Sequence, residues 1–296
     1  MDNETRKQFA EIAIEHATQR KIDRAKIPTC PYISALGVKM PCNKKGGVCS
    51  IQPVTQGSGG RAELHPEGLV SVCPQRFLEE KGLMRWVAEV MLGDSSIKAV
   101  REMSFLTSSS PTEKKIQAGT GRIDWLLVDD SQPAIRYCAL EVQALYFSGH
   151  NMLDDFKKYE QSGDSVFPEG NRRPDYRSSG PKRLAPQLSV KVPLLRNWGI
   201  KTAVLVDRYF FNQMANFTET VGDNHQDRLA ASDIVWFVAD YSGGELVPGE
   251  IRYSSLGDSI KALNAVEVMS RQTFESKLKA TLSSTARSRR YIDLQF

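Results

Sequence analysis

The 296 residues are 41% hydrophobic, enough for one large core or two modest ones, and 39 Lys and Arg against 35 Asp and Glu leave a net charge of +4. That excess is too small to identify a polyanionic partner, so the distribution of charge says more than its sum. No apolar run is long enough to span a bilayer, and the first residues (Met1-Asp2-Asn3-Glu4-Thr5-Arg6-Lys7) lack the apolar segment of a signal peptide, so the expectation is a cytoplasmic protein without a membrane partner.

Phe9, Ile12, Ala13 and His16 recur at helical spacing and predict an amphipathic helix from about Glu4 to Gln19, with His16 as a core histidine. From Pro28 to Phe77 the chain turns to glycine, proline, cysteine and lysine, with few runs that could form regular elements. Four of the five cysteines lie here, Cys30, Cys42, Cys49 and Cys73, spaced C-x11-C-x6-C-x23-C. In a reducing compartment such a group reads as a metal site before it reads as disulfides. Four thiolates at about 2.3 Å from one tetrahedral metal would cross-link loops that bury too little surface to hold themselves. The paired CxxC knuckles of common zinc ribbons are missing, so four unligated thiols are the competing reading. Cys138, in an apolar strand, reads as a small buried hydrophobe.

Leu78 to Leu92 carries Leu83, Trp86, Val87, Val90 and Met91 on one face and stops at Gly93, which predicts a helix packed on a sheet. Ile97 to Leu106 reads as a strand and Thr107 to Pro111 as a loop. Ile123 to Val128 and Ile135 to Ala144 follow as strands joined by a turn at Asp129 to Pro133, with Asp129 a turn residue. A short helix is predicted from Gly149 to Glu160 and a polar loop from Ser162 to Gly180. Arg172, Arg173, Arg177, Lys182 and Arg183 crowd the end of that loop (170–184) with Tyr176 among them, a stretch suited to phosphates and guanine edges, or else simply solvated. Leu184 to Trp198 is largely helical in pattern, with Pro193 bending or dividing it and Gly199 ending it. Thr202 to Val206 and Ser232 to Ala239 are buried strands, Glu245 to Tyr253 an edge hairpin, and Thr273 to Ser283 a helix before the basic tail Arg287, Arg289, Arg290. Alternating strands and helices predict an α/β fold. Its division would be an N-terminal helix and cysteine module over 1–93, and a catalytic domain over 94–296.

The chemistry gathers at Asp124 and at Glu141-Val142-Gln143. Glu141 and Gln143 are two apart on a strand and leave one face, and Asp124 on the neighbouring strand can reach it. Apolar neighbours (Trp125, Leu126, Leu127, Val128; Ala139, Leu140, Val142) suggest strands buried on both faces, where a carboxylate needs a partner. Two converging carboxylates would suit Mg²⁺, which activates water and offsets charge on a phosphate, so the implied reaction is phosphodiester hydrolysis. Glu102, 22 residues before Asp124, is a candidate further ligand or an exposed bystander.

Asp124 with Glu141-x-Gln143 resembles the PD-(D/E)XK nuclease motif in its variant ending in glutamine. The four upstream cysteines, with Cys30-Pro31, Gly47-Val48-Cys49-Ser50, Cys73-Pro74-Gln75-Arg76-Phe77 and Arg172-Arg173-Pro174-Asp175-Tyr176-Arg177-Ser178-Ser179, resemble the NotI-type restriction endonucleases over most of the chain. The resemblance implies a PD-(D/E)XK core, a mixed central sheet flanked by helices, with an N-terminal four-cysteine metal-binding module. It also implies a Mg²⁺-dependent homodimer that cuts double-stranded DNA at a short GC-rich palindrome, functionally linked to a methyltransferase. Asp124 and Glu141 would be catalytic metal ligands, Gln143 would stand where lysine is usual, and a structural iron would sit on the four cysteines, where thiolate chemistry alone favours zinc. Two alternatives remain: a PD-(D/E)XK nuclease of repair or defence with little sequence preference, and a metal-stabilised DNA-binding protein without catalysis. The second gives no reason for carboxylates facing a phosphate backbone.

Overall fold

The computed structural model describes residues 8–10, 30–34, 37, 40–42, 49–56, 62–64, 68–93, 97–106, 121–147, 174–265 and 269–283. The loop expected at 107–111, the helix at 149–160, most of the polar loop with Arg172 and Arg173, His16 and the tail arginines lie outside the described residues.

Six strands form the central sheet: β1 (Lys98–Ser104), β2 (Arg122–Asp129), β3 (Arg136–Val142), β4 (Thr202–Asp207), β5 (Ile234–Ser242) and β6 (Glu245–Ser254). Their order in space is their order in the chain. The first three are antiparallel neighbours, β3, β4 and β5 run parallel, and β6 folds back on β5 with a register shift at Val238/Ala239. The fold is therefore α/β, as the alternating pattern predicts, and its central sheet is mixed and flanked by helices, as the resemblance implies.

Two helices explain why the parallel strands are apolar on both sides. Helix α1 (Gly82–Leu92) buries Leu83, Met84, Val87 and Ala88 against one sheet face, with Trp86 edge-on to Phe237 at 4.9 Å. Helix α2 (Ala185–Asn197) buries Leu188, Val192 and Leu195 against the other. Along β4, Ala203 and Leu205 join the first core, while Val204 and Val206 join the second. Each fully buried side chain of this size contributes on the order of 1.5–3 kcal/mol relative to exposure. Gly93 and Gly199 take φ of +76° and +75°, so both helices end at a residue that can enter the left-handed region, as their positions predict. Pro193 does not divide α2, which runs unbroken through it. Helix α3 (Leu256–Asn264) packs beside α2, and α4 (Arg271–Ser283) buries no residue.

Three expectations change. The described part of the first predicted helix, Gln8–Ala10, is a strand paired antiparallel with Ser50–Gln56, where ladder hydrogen bonds outweigh the helical periodicity. The described part of the basic stretch is not a loop: Pro174–Asp175 pairs with Tyr146–Phe147, and residues 176–184 are helical turns. Asp175 caps those turns by accepting from the Ser178 N–H at 2.9 Å, and the Tyr176 hydroxyl donates to the Leu263 carbonyl at 2.8 Å. The short helices Arg208–Asn212 and His225–Ala231, and α3, fall in stretches for which no helix is predicted.

Candidate active site

Strand register assembles the acidic residues. Arg101 faces Trp125 and Met103 faces Ile123, so Glu102 falls opposite Asp124; Trp125 faces Leu140, so one step on Asp124 lies beside Glu141. Leu126 and Ala139, two residues from Asp124 and Glu141, pack with Leu195 of α2, which places both carboxylates on the α2 side of the sheet. Asp124 Oδ2 accepts from the Val142 N–H at 3.0 Å, which fixes its side chain across the gap between β2 and β3.

Glu141 is 2% exposed and does not stand alone. Lys191 Nζ donates to both its oxygens at 2.8 Å and to Gln187 Oε1 at 2.9 Å, which uses all three ammonium protons. Burial, then the charge on Asp124, pushes the Glu141 carboxyl up to about 7 despite Lys191. Burial also raises Asp124; the Val142 N–H and Lys191 pull it back, and Glu102 adds to the rise. Buried Glu141 and half-buried Asp124 thus share one ammonium, and a further cation would relieve the negative charge they carry together. Oxygen donors of this kind fit Mg²⁺. Among the described residues no three His, Cys, Asp or Glu side chains stand ready as a metal cage, and Mg²⁺ commonly completes its shell with water and phosphate oxygens.

Glu102 is exposed, pairs with Arg101 and Arg122 at 3.4 and 3.6 Å, and has φ of +50° in the middle of β1. Gln143 follows the end of β3; its N–H donates to the Leu205 carbonyl at 3.0 Å and its side-chain amide to the Ala144 carbonyl, with no bond to either carboxylate. Asp129, expected in the turn, is instead the last residue of β2, in register with Arg136, and its carboxylate accepts from the Ser131 N–H and hydroxyl at 3.0 and 2.6 Å at the start of the turn that follows.

The four upstream cysteines lie near enough to act on one another electrostatically, though no three of them are grouped as a ready metal cage; Cys30, Cys49 and Cys73 are buried and Cys42 is half-buried. A hydrogen bond with Cys73, then burial, then the charges on Cys73, Cys42 and Cys30 drive the Cys49 thiol far above its ordinary value. Cys30 is raised by burial first, with Cys73 and Cys42 adding. Cys138 is separate, in the core facing α1, and burial alone pushes it up to about 12, in keeping with a small hydrophobe.

Arg177, Lys182 and Arg183 are exposed on the turns before α2. Arg183 lies 4.9 Å over the ring of Tyr146, three residues beyond Gln143, so this basic segment is tethered to the chain that leaves the acidic row. A cavity of about 910 Å³ opens elsewhere, against α1, lined by Trp86, His225, Arg228 and Tyr253 and by none of the acidic residues.

Lys191 and Gln187 are the residues that sequence reasoning missed. Their signal is a lysine on the apolar stripe Leu184, Leu188, Leu195, where the helical period calls for a buried hydrophobe. No curated protein and no solved structure shows significant similarity to the chain. A family model described as restriction endonuclease NotI matches residues 13–250, most of the chain, which therefore belongs to the NotI restriction endonuclease family.

Proposed function

We propose that the chain is a type II restriction endonuclease that hydrolyses double-stranded DNA at a short GC-rich palindrome, with Mg²⁺ held by Asp124 and Glu141 on a PD-(D/E)XK core. Family membership supports the restriction endonuclease, and the observation that carries the site is the buried Glu141 and half-buried Asp124 side by side on β3 and β2. Mg²⁺ bound there would lower the pKa of a water molecule and offset the charge that grows on the phosphate. The protein's own groups do the rest. The Val142 N–H holds Asp124, and Glu102 extends the acidic row toward the open edge as a candidate further ligand. Gln143 can turn its amide from the Ala144 carbonyl to orient the attacking water, but as a neutral group it supplies no charge to the transition state.

Arg177, Lys182 and Arg183, with Arg172 and Arg173 of the same stretch, are the proposed DNA contacts. A two-fold homodimer would present one site to each strand of a palindrome. Cys30, Cys42, Cys49 and Cys73 are proposed to hold one structural iron, with zinc as the alternative, because a cation relieves the mutual repulsion of crowded thiolates.

Digestion of GC-rich phage DNA with and without Mg²⁺, followed by end sequencing, tests the reading. Discrete fragments that require Mg²⁺ are the expected result. Asp124→Ala and Glu141→Ala should slow single-turnover cleavage by about 10³-fold or more, and Gln143→Ala by distinctly less. A Mg²⁺-dependent smear would indicate a nuclease of low sequence preference. Absence of cutting on any unmodified DNA would favour a binding protein.

A further inference from the structure

The ammonium of Lys191 lies against both oxygens of Glu141, a side chain proposed to hold the catalytic cation. It takes both carboxylate oxygens, its third proton is held by Gln187, and its side chain is 1% exposed. A divalent ion cannot bind Glu141 without at least one of those oxygens, and it repels an ammonium left beside it. Gln143, meanwhile, has its amide on a backbone carbonyl and carries no charge. Lysine has a flexible four-carbon stem that lets a point charge move without moving the helix.

We propose that Lys191 is a displaceable counter-ion and positioning residue. In the metal-free protein it holds the buried Glu141 carboxylate aimed through both oxygens; when a divalent ion binds, it yields an oxygen and turns toward the open side of the acidic row. There it supplies the positive charge that Gln143 lacks. This rests on the nuclease reading above. It follows that Lys191 opposes metal loading while favouring catalysis, a combination that a merely structural lysine would not show.

The test is titration of DNA-free, full-length protein with Mg²⁺ by calorimetry, for wild type, Lys191→Met and Lys191→Gln, with Asp124→Ala marking binding at this site. The expected result is Mg²⁺ affinity raised about tenfold in both Lys191 variants. At saturating Mg²⁺ their cleavage should be slowed about 100-fold with the KM for DNA little changed. Unchanged or weaker Mg²⁺ affinity would overturn the proposal, and so would undiminished cleavage. Should neither variant fold, amine acylation of wild type read by mass spectrometry replaces them. Lys191 should be protected without Mg²⁺ and modified several-fold faster with it, and equal protection in both would overturn the proposal. Failure of the nuclease reading looks different, since wild type would then show no cleavage that depends on Asp124.

Discussion

Among the described residues, three non-glycine residues take left-handed backbone angles, and their settings differ. Ala265 is the cap that ends α3 and Asn216 lies in a connection, but Glu102, at φ +50°, is inside a strand and opposite Asp124. A non-glycine residue there costs on the order of 1 kcal/mol, and such strain persists where neighbouring structure enforces it, often at a functional site. The exposed ion pairs with Arg101 and Arg122 are too weak to account for it. The comparison of Glu102→Gly with Glu102→Ala isolates the backbone from the carboxylate. The glycine variant should be more stable than the alanine variant by about 1 kcal/mol in urea denaturation. If the carboxylate serves the metal, both should lose cleavage to the same degree. Wild-type rates in both would remove Glu102 from the site.

At the scale of elements, the strands bearing Asp124 and Glu141 were legible because their apolar residues are confined to short runs with turn residues between them. Both helix stops were legible because Gly93 and Gly199 mark left-handed positions. What joins the cysteine region to the sheet was not legible, since it is made of isolated polar residues far apart in the chain. Arg76 is fully buried, donates to Ser50 Oγ at 3.2 Å and to the Gly244 carbonyl at 2.6 Å, and lies against the rings of Tyr32 and Tyr241. The Tyr241 hydroxyl bonds Ser50 and Ser71, and Asp207 accepts from the N–H groups of Ser71 and Phe210 at 2.6 and 2.8 Å. Lys191 escaped for the same reason, because no periodic pattern announces a partner 50 residues away.

Asp207 gives this network a pH signature. Burial pushes its carboxyl up to about 6 from an ordinary 3.8, against the N–H groups of Phe210 and Ser71. The folded protein then binds the proton more tightly than the unfolded chain. The stabilisation is complete below about pH 3.8 and is lost as pH rises through 6. Asp207→Asn imitates the protonated form. Wild type should therefore lose roughly 2–3 kcal/mol relative to that variant between pH 4 and 7, as read from urea midpoints. A flat difference, or one of opposite slope, would mean that the donors to Asp207 outweigh its burial.

For the whole molecule, the question is whether the cysteine region melts alone. Cys30, Cys49 and Cys73 belong to the same buried cluster as Phe77, Leu83, Val87, Trp125, Leu140 and Phe237, so the core beneath α1 runs from the first cysteine into the centre of the sheet. The Arg76, Tyr241 and Asp207 contacts cross the same boundary. A metal on the four thiolates would then stabilise the sheet as well as its own loops, because binding energy at a site absent from the unfolded chain is folding energy. Cys49→Ser and Cys73→Ser should each abolish one bound metal ion per chain by elemental analysis. Each should also lower a single cooperative calorimetric transition by roughly 10 °C or more. DNA cleavage should fall in step with the folded fraction, since Asp124 and Glu141 are untouched. An early minor transition, followed by melting of the sheet at its original temperature, would show that the cysteine region is an independent unit. Wild-type protein that carries no metal would remove the thiolate site altogether and leave the buried polar network as the link between the two regions.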